Sequence, residues 1–180
     1  MWIEMKQLKN LDCTNKKIIV RVDLNVPVFE DKITDYSRIH AILPTLEKLT
    51  KNKNKVFLIA HFGRPKGEVN KKYSIEFLCP ELKKLSNLNK VHFLDSCDQK
   101  IIEKKISEMG FGEVCLLENI RFNAEEEKND LNFSKQLSSC FDIYINDAFS
   151  ASHRNHASIT GITKYLPSYA GLNFVKEIEN

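Results

Sequence analysis

The sequence predicts an α/β domain: three layers, α/β/α, built around a mainly parallel, doubly wound sheet. Three observations lead there. Near-continuous apolar runs of strand length recur along the chain, the pattern of strands buried on both faces. Between them lie segments whose apolar residues repeat at helical spacing. Strands that alternate with helices make βαβ units, and these place helices on both faces of a parallel sheet. A length of 180 residues suits one large domain with a sizeable core.

The strand-like runs, in order, are KKIIVRVD (16–23), KVFLIAH (55–61), KVHFLD (90–95), EVCLLEN (113–119) and FDIYIND (141–147). Ile39, Ile42, Leu43, Leu46 and Leu49 mark one face of a first helix, which Pro44 is expected to kink or restrict. Leu78, Leu82 and Leu85 mark a second, with Ser74 as its candidate cap and Pro80 as an irregularity. Ile102, Ile106 and Met109 mark a third, behind a capping Asp98. No internal repeat or low-complexity tract interrupts the series. The whole reads as a Rossmann-like domain.

Composition narrows the function. An apolar content of 42% and a charged content of 28% are ordinary for a globular protein. No apolar run approaches the ~20 residues that span a bilayer. The start, MWIEMKQLKNLD, lacks the order of a signal peptide, so a cytoplasmic protein without membrane partners is expected. The five cysteines (Cys13, Cys79, Cys97, Cys115, Cys140) stand singly, which argues against a disulfide framework or a zinc ribbon. Cys115 and Cys140 read as small core residues. A net charge of +3, without a basic stripe interleaved with aromatics, excludes a nucleic-acid binder.

The sharper charge signal is where arginine is used. The chain has 27 basic residues besides histidine, of which only five are arginines: Arg21, Arg38, Arg64, Arg121 and Arg154. Arginine offers a planar, bidentate fork that lysine cannot copy. In doubly wound sheets, ligands bind outside the carboxyl ends of the strands. Asp23 and Asn25 follow the first run, and Arg38 opens the helical stretch beyond it. HFGRPKG, with His61, Arg64 and Lys66, follows the second, and Arg121 follows the fourth. Asp147, His153, Arg154 and His156 follow the fifth. Four of the five arginines thus fall at one sheet edge, and only Arg21 lies inside a strand. Surface arginines are usually solvated ion pairs, but this convergence implies a small, multiply charged anion bearing phosphate or carboxylate. Gly63, Pro65 and Gly67 shape their loop so that backbone amides could approach it too.

Other constellations weigh less. Asp147, His153 and His156 suggest zinc, and hence a hydrolase, but no H-E-x-x-H or cysteine companion supports that. No metal site is expected. His40 and His92 read as ordinary helix and strand residues. The Glu125–Glu126–Glu127 run reads as a solvated face. Asp23, at a strand end, either holds an arginine, accepts a substrate hydroxyl or caps the strand. No G-x-x-x-x-G-K-[ST], G-x-G-x-x-G or G-x-S-x-G motif occurs. NDAFSASHRNHAS (146–158) reads as a strand end and an anion-binding loop, with Arg154 as the clamp and the histidines in support.

RVDLNVPV, AHFGRPKG, LLENIRF with the following EEE, INDAFSASHRNHAS and GITKYLPSYAG occur in the order and at about the spacings of one family. Together they resemble the N-terminal half of phosphoglycerate kinase, and the likeness covers essentially the whole chain. AHF stands where SHL is commoner, and FSASHR where FGTAHR is commoner; the charged residues are kept. The resemblance implies a substrate-binding domain over 1–170 and the start of an interdomain helix at 171–180. It implies a pocket for 3-phosphoglycerate or 1,3-bisphosphoglycerate made by Asp23, Leu24, Asn25, Arg38, His61, Phe62, Gly63, Arg64, Arg121, Arg154 and His156. In this reading Arg64, Arg121 and Arg154 take the stable 3-phosphate. Asp23 and Asn25 face the substrate hydroxyl and orient Arg38, the catalytic candidate for charge on the migrating phosphoryl group.

The family transfers the acyl phosphate of 1,3-bisphosphoglycerate to ADP, with magnesium beside the nucleotide on a second domain whose motifs this sequence lacks. No cofactor is therefore expected on this chain. It is expected to be a monomer that binds phosphoglycerate weakly and does not turn over, because one domain cannot close the site. A non-catalytic anion-binding module with the same arginine edge is the alternative.

Overall fold

A computed structural model describes residues 5–86, 88 and 90–179. Six parallel strands form the main sheet: β1 (Lys17–Arg21), β4 (Lys55–Ile59), β5 (Val91–Leu94), β6 (Val114–Leu117), β7 (Ile143–Asn146) and β8 (Ser168–Ala170). Their spatial order is β5-β6-β4-β1-β7-β8. From β1 the chain winds to β4, β5 and β6 on one side, then crosses to β7 and β8 on the other. The switch point lies beside β1, where such sheets open a crevice.

Alternation along each strand feeds two cores. Ile18 and Val20 of β1 join Val56, Leu58 and Leu116 on one face, under α1 (Ser37–Lys51) and α2 (Leu78–Ser86). Ile19 joins Phe57, Cys115 and Leu117 on the other, under α3 (Gln99–Glu108) and α5 (Leu131–Ser138). Five predicted strands and three predicted helices are present, and the α/β/α architecture is as the sequence indicated. Asp98 caps α3, accepting from the amides of Lys100 at 2.9 Å and Ile101 at 3.2 Å.

Several details differ. Pro44 does not break α1; it sits on the exposed face of a continuous helix. Ser74 is not the cap of α2, which begins four residues later. Its hydroxyl instead donates to Glu118 at 2.7 Å. Three strands escaped the sequence, as did two helices, the short α4 (Ala124–Glu127) and α5. Val28–Phe29 and Lys32–Ile33 pair as a separate hairpin, β2 and β3. Its turn holds Glu30 and Asp31 at φ of 47° and 59°, without the Asn-Gly that advertises such turns. The third is β8, a three-residue strand too short to show a pattern.

α6 (Leu172–Glu179) begins where the interdomain helix was expected. Asp147, fully buried at the end of β7, accepts from the Phe174 amide at 3.0 Å and so holds the helix start. Gly171 permits the approach: a Cβ there would lie 2.2 Å from Asp147 Oδ1.

Candidate functional site

The carboxyl ends of β1, β4, β6 and β7 bring the predicted residues to one edge, in two neighbouring groups. In the first, Arg38 at the start of α1 is ion-paired with Asp23, and Asp23 also accepts from the Ser150 hydroxyl. This group lines a cleft of about 350 Å³ between α1, the loop after β7 and α6, with Ser37, Phe149 and Asn173. Asp23 and Ser150 join across the β1–β7 switch point. Asp23 thus holds an arginine, one of its three sequence readings.

The second group is strongly basic. Arg21 is 1% exposed at the last position of β1. Its Nη2 donates to His61 Nδ1 at 2.9 Å, its Nη1 to the Val22 carbonyl at 2.5 Å and its Nε to Ser158 Oγ at 3.1 Å. Burial lowers its affinity for a proton, and Glu126 opposes that effect. Arg121 is buried, donating Nη1 to the Gly63 carbonyl at 2.8 Å. Its Nε lies 3.2 Å from Glu127 Oε1, an ion-pair contact without hydrogen-bond geometry. Arg154 is half-buried, and its sequestered Nε has no hydrogen-bond partner among the described residues.

These side chains feel one another. The pKa of His61 is pushed down to about 2, first by burial and then by Arg21, Arg121, Arg154 and His156. Its imidazole is therefore neutral at physiological pH. Burial lowers the pKa of Arg121 as well, with Arg154 and Arg21 adding to the effect. Like charges gathered with unfilled donors would be eased by an anion.

The loop after β4 is pinned rather than open. Gly63 adopts φ of 60°, and a Cβ there would lie 2.5 Å from the Tyr73 ring. Its amide donates to Asn25 Oδ1 at 3.0 Å, and that of Gly67 donates to the Arg121 carbonyl at 3.1 Å. Both glycine amides are thus engaged within the chain. Asn25 and Gly63 link the loop after β1 to Arg121. Leu24 is buried and Phe62 packs against the core, so these two shape the edge without offering a polar group to it. Arg64 is exposed in that loop and is not among the charges that act on His61.

Other readings are corrected too. Arg21 is a strand residue as read, the last of β1, but it belongs to the basic group rather than apart from it. The acidic run is no solvated face at its middle: Glu126 is 0% exposed and accepts from the Ser158 amide at 2.8 Å and hydroxyl at 2.6 Å. Burial raises its pKa, but His156, Arg21 and Ser158 outweigh this and bring it below the usual carboxylate value. His92 is a strand residue of β5, as read, and pairs with Glu113 at 2.6 Å. Asp147 is committed to α6, His153 is exposed, and His156 lies 3.6 Å from Glu126, so the rival metal triad does not converge. Among the described residues, no three His, Cys, Asp or Glu side chains group to hold a metal. Ser150 and Ser158 carried no sequence signal, since an isolated serine in a polar loop is unremarked.

The fold and this edge define an α/β domain with a cleft at its switch point and a separate group of arginines near it. The family model for phosphoglycerate kinase matches residues 8–180, and the chain belongs to that family. The phosphoglycerate kinase of Prochlorococcus marinus strain MIT 9312 is 49% identical over 177 residues, covering 96% of this chain and 44% of that protein. That of Moorella thermoacetica is 46% identical over 172 residues, with 96% and 44% covered. The solved phosphoglycerate kinases of Coxiella burnetii and Pyrococcus horikoshii OT3 both superpose with a TM-score of 0.86, at 32% and 33% identity. Each match covers 97% of this chain and 43% or 44% of the other. The chain spans less than half the length of these relatives.

Proposed function

We propose that this chain is the phosphoglycerate-binding half of a phosphoglycerate kinase, with the domain at 1–170 and the start of the interdomain helix at 171–180. The observation that carries the reading is the gathering of Arg21, His61, Arg121 and Arg154 at the switch point of a chain in this family. The reaction would be that of the family, ATP + 3-phosphoglycerate = ADP + 1,3-bisphosphoglycerate, in cytoplasmic glycolysis.

The residues act by binding and orienting. Arg121 and Arg154, with Arg64 swinging in from its loop, neutralise the 3-phosphate, and neutral His61 adds an N–H. Asn25 and Asp23 meet the hydroxyl. Arg38, held by Asp23 yet with a side chain 41% exposed, faces the carboxyl end, where charge shifts as the phosphoryl group leaves or arrives. Phosphoryl transfer depends mainly on such positioning and charge stabilisation. Magnesium-nucleotide does not fit this chain: it has neither a phosphate-cradling glycine loop nor, among the described residues, a carboxylate cluster for the metal. That group would be held by the complementary half.

Alone, the chain binds substrate without turnover, because closure by a second domain is what excludes water and completes such a site. Amide NMR tests this. 3-Phosphoglycerate should shift the Asn25, Gly63, Arg121 and Arg154 signals saturably, while a coupled kinase assay stays at background. Shifts scattered over α2 and α3 instead, or turnover with contaminating kinase excluded, would overturn the reading.

A further inference from the structure

Beneath the basic group runs a buried chain of hydrogen bonds whose direction is fixed by its ends. Arginine only donates and a carboxylate only accepts. The Ser158 hydroxyl takes Arg21 Nε–H at 3.1 Å and therefore gives its own proton to Glu126 Oε1 at 2.6 Å. The Ser158 amide gives to Oε2 at 2.8 Å. His156 Nδ1 is buried 3.6 Å from the same Oε1 and has no hydrogen-bond partner elsewhere among the described residues. At 3.6 Å the contact is electrostatic and not a hydrogen bond, but a ring lone pair turned toward a carboxylate would be repelled, so Nδ1 carries the proton. At the other end of Arg21, Nη2 donates to His61 Nδ1, so that nitrogen accepts and the His61 proton sits on Nε2.

We propose that Glu126 is a positioning residue for the anion site: it fixes His156 as the Nδ1–H tautomer and pins the Ser158 amide, holding the segment that carries Arg154. Only an acceptor-only group can serve all the donors that face it. A glutamine of the same shape would turn an N–H toward one of them and leave a buried donor unmet. The role cannot be charge attraction, since a carboxylate repels the ligand. It acts through what it holds. The tautomer is independent of the ligand, whereas the effect on affinity rests on this edge being a phosphoglycerate site.

The test is ¹⁵N NMR of the imidazoles in the wild-type chain, above the pH range where histidines charge, followed by calorimetry with 3-phosphoglycerate. His156 is expected as Nδ1–H and His61 as Nε2–H. In Glu126→Gln, His156 should lose its preference and the dissociation constant should rise about tenfold, the contribution of one charge-assisted hydrogen bond. That loss would occur although the cluster gains net positive charge. Glu126→Asp, still acceptor-only, should restore the tautomer and part of the affinity. An Nε2–H His156 in the wild type, or unchanged tautomer and affinity in Glu126→Gln, overturns the role. If Glu126→Gln fails to fold, the wild-type tautomer decides. A wild type that shows the tautomer but binds no phosphoglycerate refutes the site reading and leaves the hold of Glu126 on His156 supported.

Discussion

At the amino ends of β1, β4 and β6, Asn54 is fully buried and saturated: it accepts from the Lys16 amide at 2.9 Å and donates to the Cys13 and Leu49 carbonyls at 3.2 and 2.9 Å. Nearby, Lys55 Nζ donates to the Ile106 carbonyl at 2.7 Å, and His92 meets Glu113. At the carboxyl ends of these strands and of β7, Arg21, Arg121, Arg154 and His61 crowd together, and Nε of Arg121 and of Arg154 finds no hydrogen-bond partner among the described residues. One end pairs its polar groups off; the other gathers like charges and ties them down with Glu126 and Glu127. A structural edge minimises its own energy, whereas a binding edge holds an arrangement that a ligand completes. Substitutions should therefore sort by edge, stability being lost at one and binding at the other.

The largest expected effect is on binding. Arg154→Ala should weaken 3-phosphoglycerate about 100-fold, as befits hydrogen bonds to a charged group of about 1.5–3 kcal/mol. Its melting temperature should hold or rise, since Arg154 adds to the burden on Arg21, Arg121 and His61. A variant that melts early and binds normally would break the comparison. At the other edge, Asn54→Ala should cost about 2–3 kcal/mol in denaturant unfolding by leaving buried backbone groups unpaired. The protein that remains folded should bind phosphoglycerate as the wild type does.

Third comes pH. His61 takes up a proton near 6.5 when unfolded but only near 2 when folded. Between those values the unfolded chain binds the extra proton, so this stabilisation is complete above pH 6.5 and declines as pH falls. The slope is about 1.4 kcal/mol per pH unit, or about 2 kcal/mol by pH 5. His61→Gln should flatten that part of the unfolding profile, and an unchanged slope would mean that His61 charges in the folded state. The smallest effect sharpens the picture. Glu127→Gln frees Arg121 Nε from a carboxylate that is 48% exposed and should tighten phosphoglycerate only about two- to threefold, given how little half-exposed pairs contribute.

The same contrast explains what the sequence disclosed. The buried runs of β1, β4, β6 and β7 announced themselves because parallel strands covered on both faces must be continuously apolar. The edge was legible because arginine is sparse in a lysine-rich chain, so its positions stood out. Arg21 was passed over because a strand interior and a strand's last residue look alike without knowing where pairing stops. Glu126 was passed over because its two acidic neighbours are exposed, and a run of identical charges hides the one that turns inward. Ser158 and Ser150 act through loops whose partners lie 137 and 127 residues away, contacts that local pattern does not encode. β8 and the β2–β3 hairpin are too short for periodicity to speak.

The most direct test of the central claim is a calorimetric titration of the chain with 3-phosphoglycerate at low salt, beside Arg154→Ala. Saturable 1:1 binding that the variant loses, with both proteins folded, is the predicted result. No heat from a folded wild type, or equal binding by the variant, would contradict the assignment of this edge as a phosphoglycerate site.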